Sequence, residues 1–180
     1  MQIRAATVTD LASIVRCADL AFASASGHSD KRDVKLQGNL RSQILEGSIQ
    51  LICDGARVLG YISLWPTADQ MFIDTLAVLP KHHHQGLGSQ LLAFADTETL
   101  RLGLSSVNLF TKATMVDNLV FYQRRGYRET GRCDDDGFCR VFYTKDISSK
   151  TVVMSSRPWP QAAVTAYKRR EYLKTTLRLK

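Results

Sequence analysis

The sequence has no uninterrupted apolar run of about 18 residues, the length a membrane-spanning helix needs, and Met1-Gln2-Ile3-Arg4 lacks the charged-then-apolar pattern of a secretory signal. A cytoplasmic protein is the expectation. A C-x-x-C pair is also missing. Cys17, Cys53, Cys133 and Cys139 are scattered, without metal-ligand spacing and without a neighbouring histidine-based activation motif, which argues against a zinc site and against an acyl-cysteine intermediate. Cys133 and Cys139 flank Asp134–Gly137, so a disulfide across a hairpin is geometrically conceivable, but a reducing compartment disfavours it. Two nucleotide signatures are incomplete as well. The dinucleotide fingerprint wants a third glycine where Leu91 stands, and the Gly-Lys-Ser/Thr of a P-loop is absent.

Excess charge is lacking over most of the chain. The formal net charge is +7, but Met1–Ser149 carries 16 Lys and Arg against 16 Asp and Glu. The surplus comes from Lys150, Arg157, Lys168, Arg169, Arg170, Lys174, Arg178 and Lys180, opposed by Glu171 alone. A nucleic-acid reading therefore concerns the tail and not the body. What the chain does have is 180 residues, 44% of them hydrophobic, enough for one domain with a sizeable core.

Ile3–Ala5 reads as a short strand. Thr7 or Thr9 can cap a helix carrying Leu11, Ile14, Val15 and Ala18 at helical spacing. Ala23–Gly27 is a small-residue loop, and a second helical stretch runs from about Asp33 to Glu46, interrupted by Gly38. Ser48–Cys53 and Arg57–Leu64 are strand-like runs joined by the hairpin dipeptide Asp54-Gly55. Phe72–Leu79 is an apolar run ending at Pro80, and Ser89–Leu102 is a helix that Gly103 closes. Val107–Thr111 is a further strand. Thr114 and Asp117 are spaced as a capping box for a helix closed by Gly126, and Tyr127–Cys133 with Phe138–Thr144 makes a hairpin around Asp134–Gly137. Antiparallel pairs combined with a helical crossover predict a three-layer α/β architecture with a mixed sheet, complete near Ile147.

Gly86-Leu87-Gly88, followed by Ser89 at a helix start, leaves backbone N–H groups unobstructed where a helix dipole favours an anion. A Gly-x-Gly alone is also a common tight turn, so context decides. That context is Ala77-Val78-Leu79-Pro80 before the loop, then Met115, Asp117-Asn118, Phe121-Tyr122 and Gly126-Tyr127, with Asp135-Asp136-Gly137-Phe138 and Val141-Phe142 beyond. On these motifs the chain resembles the GCN5-related N-acetyltransferase (GNAT) family from about Met1 to Ile147. Aligned on Gly86 and Gly88, His83 stands at the family's Gln/Arg position and His84 at its usual Gly, a departure at both.

The resemblance implies a mixed, mostly antiparallel sheet of six to seven strands with about four helices. It also implies acetyl-CoA as acyl donor and an amine as acceptor. His83, His84, Gln85, Gly86, Leu87, Gly88 and Ser89 would seat the CoA pyrophosphate, and the backbone of Leu76, Ala77 and Val78 would pair with pantetheine beside a splayed Val107–Thr111. Tyr122, one helical turn after Asn118, matches the family's acid toward the CoA sulfur. Asn118 would bond the pantetheine arm or position Tyr122. Asp74, an odd carboxylate in Phe72-Ile73-Asp74-Thr75-Leu76, is the candidate general base. Each has a plainer alternative: Tyr122 a core aromatic, Asn118 a solvated helix residue, Asp74 a paired or edge carboxylate. His82-His83-His84 does not read as a metal site, because three consecutive side chains diverge.

The expected reaction is acetyl transfer from acetyl-CoA to a primary amine on a small molecule, by direct attack in a ternary complex without metal. The alternative is a catalytically silent acyl-CoA sensor whose tail engages nucleic acid or a protein. Macromolecular acceptors and a homodimer also remain open. Residues 148–180 form a basic extension that reads as helix, as strand around Leu173–Leu179, or as solvated chain. Its contact with nucleic acid or an anionic membrane has no motif behind it.

Overall fold

The computed structural model describes residues 1–23, 39–67, 69–135 and 138–147. The expected loop beyond Ala23, the first part of the expected second helix, the Asp136-Gly137 turn and the basic extension lie outside the described residues.

Strand β1, Gln2–Ala5, leads into a short 3-10 turn, Val8–Asp10, and helix α1, Leu11–Phe22. Asp10 organises that entry. Its carboxylate accepts the Thr7 backbone N–H and hydroxyl at 2.8 Å each and pairs with the Arg4 guanidinium at 2.7 and 2.8 Å. Those charged hydrogen bonds, Arg4 first, hold the Asp10 carboxyl well below the usual range against the cost of burial. Ile14, Cys17 and Ala18, at helical spacing, bury the inward face of α1. Helix α2, residues 39–45, turns Leu40, Gln43 and Ile44 inward.

The hairpin of β2, Ile49–Asp54, and β3, Arg57–Pro66, forms as expected but one residue further along. Asp54 pairs with Arg57, so the loop is Gly55-Ala56, and of these only Gly55 has positive φ, at 56°. Positive φ at the first central position alone belongs to the II′ class, for which glycine there suffices. Strand β4, Gln70–Val78, then runs antiparallel to β3. Helix α3, Leu87–Arg101, carries the chain back to β5, Ser106–Lys112, parallel to β4. Helix α4, Val116–Gln123, and the hairpin β6, Arg128–Asp135, with β7, Phe138–Asp146, complete the fold. Gly103 and Gly126, at φ 69° and 83°, follow α3 and α4 as expected.

The result is a seven-stranded sheet of order β1-β2-β3-β4-β5-β7-β6 in which β4–β5 is the parallel pair. Helices cover both faces. On one face Leu87, Leu91, Leu92 and Ala95 of α3 and Tyr122 of α4 pack with Ile62, Met71, Ile73, Val107 and Val141. On the other, α1 and α2 pack with Leu51, Tyr61 and Ala77. This is the expected three-layer mixed α/β architecture. The β6–β7 register pairs Cys133 with Arg140 and Cys139 with Asp134, so the two cysteines do not stand opposite each other. No described helix is long and apolar enough to cross a membrane.

Candidate active site

Strands β4 and β5 pair only from Gln70–Ile73 to Ser106–Leu109. Beyond that, β4 stays with β3 through Val78 and β5 stays with β7 through Lys112, so the two part company at Asp74. A bulge marks the point: Leu64 pairs with Ile73 and Ser63 with Thr75, which leaves Asp74 as the extra residue. The bulge also slips the side-chain alternation. Met71, Ile73, Leu76 and Val78 pack toward α3 and α4, whereas Ala77 packs toward α1 and α2. Asp74 therefore projects to the α1–α2 face, where Gln43 of α2 reaches its Oδ2 at 3.3 Å.

The freed edge of β4 has a definite polarity. Leu79 N–H bonds Leu59 C=O on β3, so antiparallel alternation gives Ala77 to β3 and turns the backbone groups of Leu76 and Val78 into the gap. Of the three residues expected to pair with pantetheine, Ala77 thus turns its backbone polar groups to β3. The His83 ring spans back to the same edge, donating Nε2–H to Val78 C=O at 2.9 Å.

The loop below this edge winds through two left-handed residues, His84 at φ 60° and Gly86 at φ 78°, and α3 begins at Leu87, two residues before its expected start. The first intrahelical bond runs from Gln90 N–H to Gly86 C=O, so the N–H groups of Leu87, Gly88 and Ser89 have no intrahelical acceptor. His84 is the one described non-glycine residue at positive φ. That accounts for glycine at this point in the related motif: a side chain here costs about 1 kcal/mol. Accordingly, His84→Gly is expected to raise the thermal midpoint by about 2 °C and His84→Val to lower it, as read by differential scanning calorimetry. A lower midpoint for His84→Gly would contradict this.

Tyr122 lies in the α3–α4 core, 7% exposed, with ring centroids 5.3 Å from Phe121, 5.8 Å from Tyr127 and 5.9 Å from Tyr143. Burial pushes its phenol well above the ordinary value, and its hydroxyl makes no hydrogen bond among the described residues. Asn118 turns elsewhere. Its Nδ2 donates to Thr111 Oγ1 at 3.2 Å and Met115 Sδ at 3.6 Å, fastening α4 to the end of β5. The expected Thr114 capping box is not formed, since Met115 is the N-cap residue of α4 and makes no side-chain cap bond. Tyr122 and Asp74 stand on opposite faces of the sheet, on either side of the gap between β4 and β5.

Residues 46–129, which include the bulged β4, the loop and α4, match the model of the acetyltransferase (GNAT) domain. Over that segment the chain is similar to the GNAT acetyltransferases. Among solved structures, the PaiA N-acetyltransferase of Thermoplasma acidophilum, in complex with coenzyme A, superposes with a TM-score of 0.70 at 17% identity, covering 81% of this chain and 98% of that one. The ribosomal-protein-S18-alanine N-acetyltransferase of Escherichia coli gives 0.64 at 19% identity, covering 86% and 98%. At such identities the likeness is one of fold. An aminoalkylphosphonate N-acetyltransferase of Salmonella typhimurium is 40% identical over 58 residues, a match that spans 32% of this chain and 38% of that enzyme.

Two residues near this site carry no motif in the sequence. Arg125 lays its guanidinium 3.6 Å over the Phe121 ring, donates to Phe121 C=O at 2.9 Å and bonds Ser89 Oγ through both Nε, at 3.0 Å, and Nη2. A cation is thereby fixed beside the first turn of α3. Its four-residue spacing from Phe121 was the available signal. Gln43, 5% exposed, is the other. Its signal was a polar residue between Leu40 and Ile44 on an otherwise apolar helix face.

Proposed function

We propose that the protein transfers an acetyl group from acetyl-CoA to a primary amine by direct attack in a ternary complex. The observation that carries this reading is the gap between β4 and β5, open from Asp74 onward, which runs from a free strand edge to the unobstructed first turn of α3. The residues present fit the donor. A Cβ on Gly88 would stand 3.1 Å from Phe121 Cζ, so the first turn has room for backbone and no more. The N–H groups of Leu87, Gly88 and Ser89 offer donors to a pyrophosphate, together with the loop His83–Gly86. Arg125 adds a charge that is unfavourable at the positive end of a helix alone and favourable with an anion between them. The backbone of Leu76 and Val78 offers an amide-pairing edge for the pantetheine arm, and Asn118 keeps the far wall of the gap in place.

Acetyl-CoA supplies an activated acyl group and a thiolate leaving group. Tyr122, kept protonated by burial, donates a hydrogen bond toward that sulfur from the α3–α4 side. Asp74 takes up the amine proton from the α1–α2 side, directly or through water, which places the acceptor on that face. A neutral amine needs less from it. No step calls on a metal. The acceptor reads as a small amine, and the Salmonella relative makes aminoalkylphosphonates the first class to try. The catalytic unit is residues 1–147, with 148–180 an extension outside it.

The test is calorimetry with acetyl-CoA, paired with a thiol-release assay over amines that include aminoalkylphosphonates, polyamines and alanyl peptides. Micromolar binding with turnover on at least one amine is the expected result. Binding without turnover on any would favour the sensor, and absence of binding would refute both.

A further inference from the structure

A chain of hydrogen bonds enters the bulge from the core. Ser63, 0% exposed on β3, donates its hydroxyl to Gln43 Oε1 at 2.8 Å. Gln43 Nε2 then donates to Asp74 Oδ2 at 3.3 Å, and the Thr75 hydroxyl reaches the same oxygen at 3.4 Å. Its direction is set by chemistry. An ionised carboxylate only accepts, so Gln43 must present its amide nitrogen there and its oxygen to Ser63. Ser63 thus fixes the amide orientation, and Gln43 with Thr75 holds Oδ2 of the carboxylate. Gln43 is itself anchored, since its backbone carbonyl accepts the Ser48 N–H at 2.9 Å at the end of α2.

We infer that Gln43 is the positioning residue for Asp74, holding its carboxylate oriented at the open end of the β4–β5 gap, with Ser63 setting the orientation of Gln43. The inference rests on the proposed role of Asp74, and it gives α2 a function beyond packing. A side chain on the helix that walls the acceptor face is hydrogen-bonded to the proton acceptor, so α2 and the state of Asp74 are linked. A core glutamine is otherwise costly, since leucine would fill the same space without a polar group to satisfy.

Two other ionisable groups among the described residues of this face carry no charge that could act on Asp74. Tyr61 of β3 and Cys17 of α1 are both held neutral by burial, which pushes the Cys17 thiol up to about 12 and the Tyr61 phenol up as well. Asp19 of α1 is the remaining described charge felt at Tyr61 alongside Asp74.

The experiment follows the Asp74 carboxyl carbon by NMR through a pH titration of the full-length protein, the resonance being assigned by its loss in Asp74→Asn. Hydrogen bonds to the ionised form lower a carboxyl midpoint, so their removal raises it. Gln43→Leu is expected to move the midpoint upward by roughly 0.5–1 unit. Ser63→Ala should move it less in the same direction, and the double variant no further than Gln43→Leu, as befits one chain. An unmoved midpoint in whichever of these variants folds would overturn the inference. A separate arm isolates the reading beneath it. If Asp74→Asn releases thiol as fast as the parent on the amine panel, Asp74 is not the base, whatever the titration shows.

Discussion

Tyr122→Phe is expected to lower kcat for acetyl transfer by about a hundredfold and to leave KM for acetyl-CoA within about twofold. The size follows from what the hydroxyl does and does not do. Phenylalanine retains every ring contact that Tyr122 makes with Phe121, Tyr127 and Tyr143. The Tyr122 hydroxyl makes no hydrogen bond among the described residues, so its loss orphans no partner. Stability should therefore hold, and the thermal midpoint is the control. Burial raises the phenol above its ordinary value near 10, whereas a thiol has an ordinary value of about 8.5. Complete proton transfer to the departing sulfur would thus run uphill. A hydrogen bond that strengthens as thiolate character develops is what remains, and that argues for the lower end of the range for general-acid catalysis, about 10² to 10⁴. The same raised value removes any Tyr122 limb from the pH profile below the alkaline region. Steady-state kinetics on the amine selected by the panel decides the matter, and a rate within twofold of the parent on every amine would remove Tyr122 from the chemistry.

Much of this architecture was legible because local signals and the tertiary fold agree. Asp54-Gly55 announced the hairpin, Gly103 and Gly126 announced the helix ends, and apolar residues at helical spacing marked α1. The departures share one cause. A register belongs to a pair of strands, so neither the one-residue shift to Gly55-Ala56 nor the bulge at Asp74 can be read from one strand alone. Yet the bulge decides the site. It turns Asp74 toward Gln43, and beyond it β4 no longer pairs with β5. Which residues of β4 turn their backbone toward the gap likewise depends on the Leu59–Leu79 pairing, which gives Ala77 to β3. His84 was visible as a departure, but its meaning needed the backbone angle of 60°. Arg125 and Gln43 bring together positions 36 and 31 residues apart, and no local pattern encodes such meetings.

The two glycines of the loop look alike in sequence and should fail differently when replaced. Gly86→Val places a β-branched side chain at φ 78° with no atom within 4 Å to meet it, so the cost is backbone strain of about 1–2 kcal/mol, read as a lower thermal midpoint. Gly88 has no left-handed strain to relieve. Its substituent instead meets the edge of Phe121, with Cβ 3.1 Å from Cζ and 3.6 Å from Cε2. Phe121 cannot swing aside cheaply, because Arg125 lies 3.6 Å over its ring and is itself tied to Ser89. Gly88→Val therefore pushes on the whole Phe121–Arg125–Ser89 assembly and adds bulk where the N–H groups of Leu87, Gly88 and Ser89 are offered. Acetyl-CoA affinity is expected to fall about a hundredfold, equivalent to about 2.7 kcal/mol, while Gly88→Ala, with the same Cβ and no branches, should lose about tenfold. Calorimetric titration of both variants provides the measurement. Undiminished affinity in a folded Gly88→Val would mean that the donor does not sit against the first turn of α3, and the proposed orientation of acetyl-CoA in the gap would fall with it.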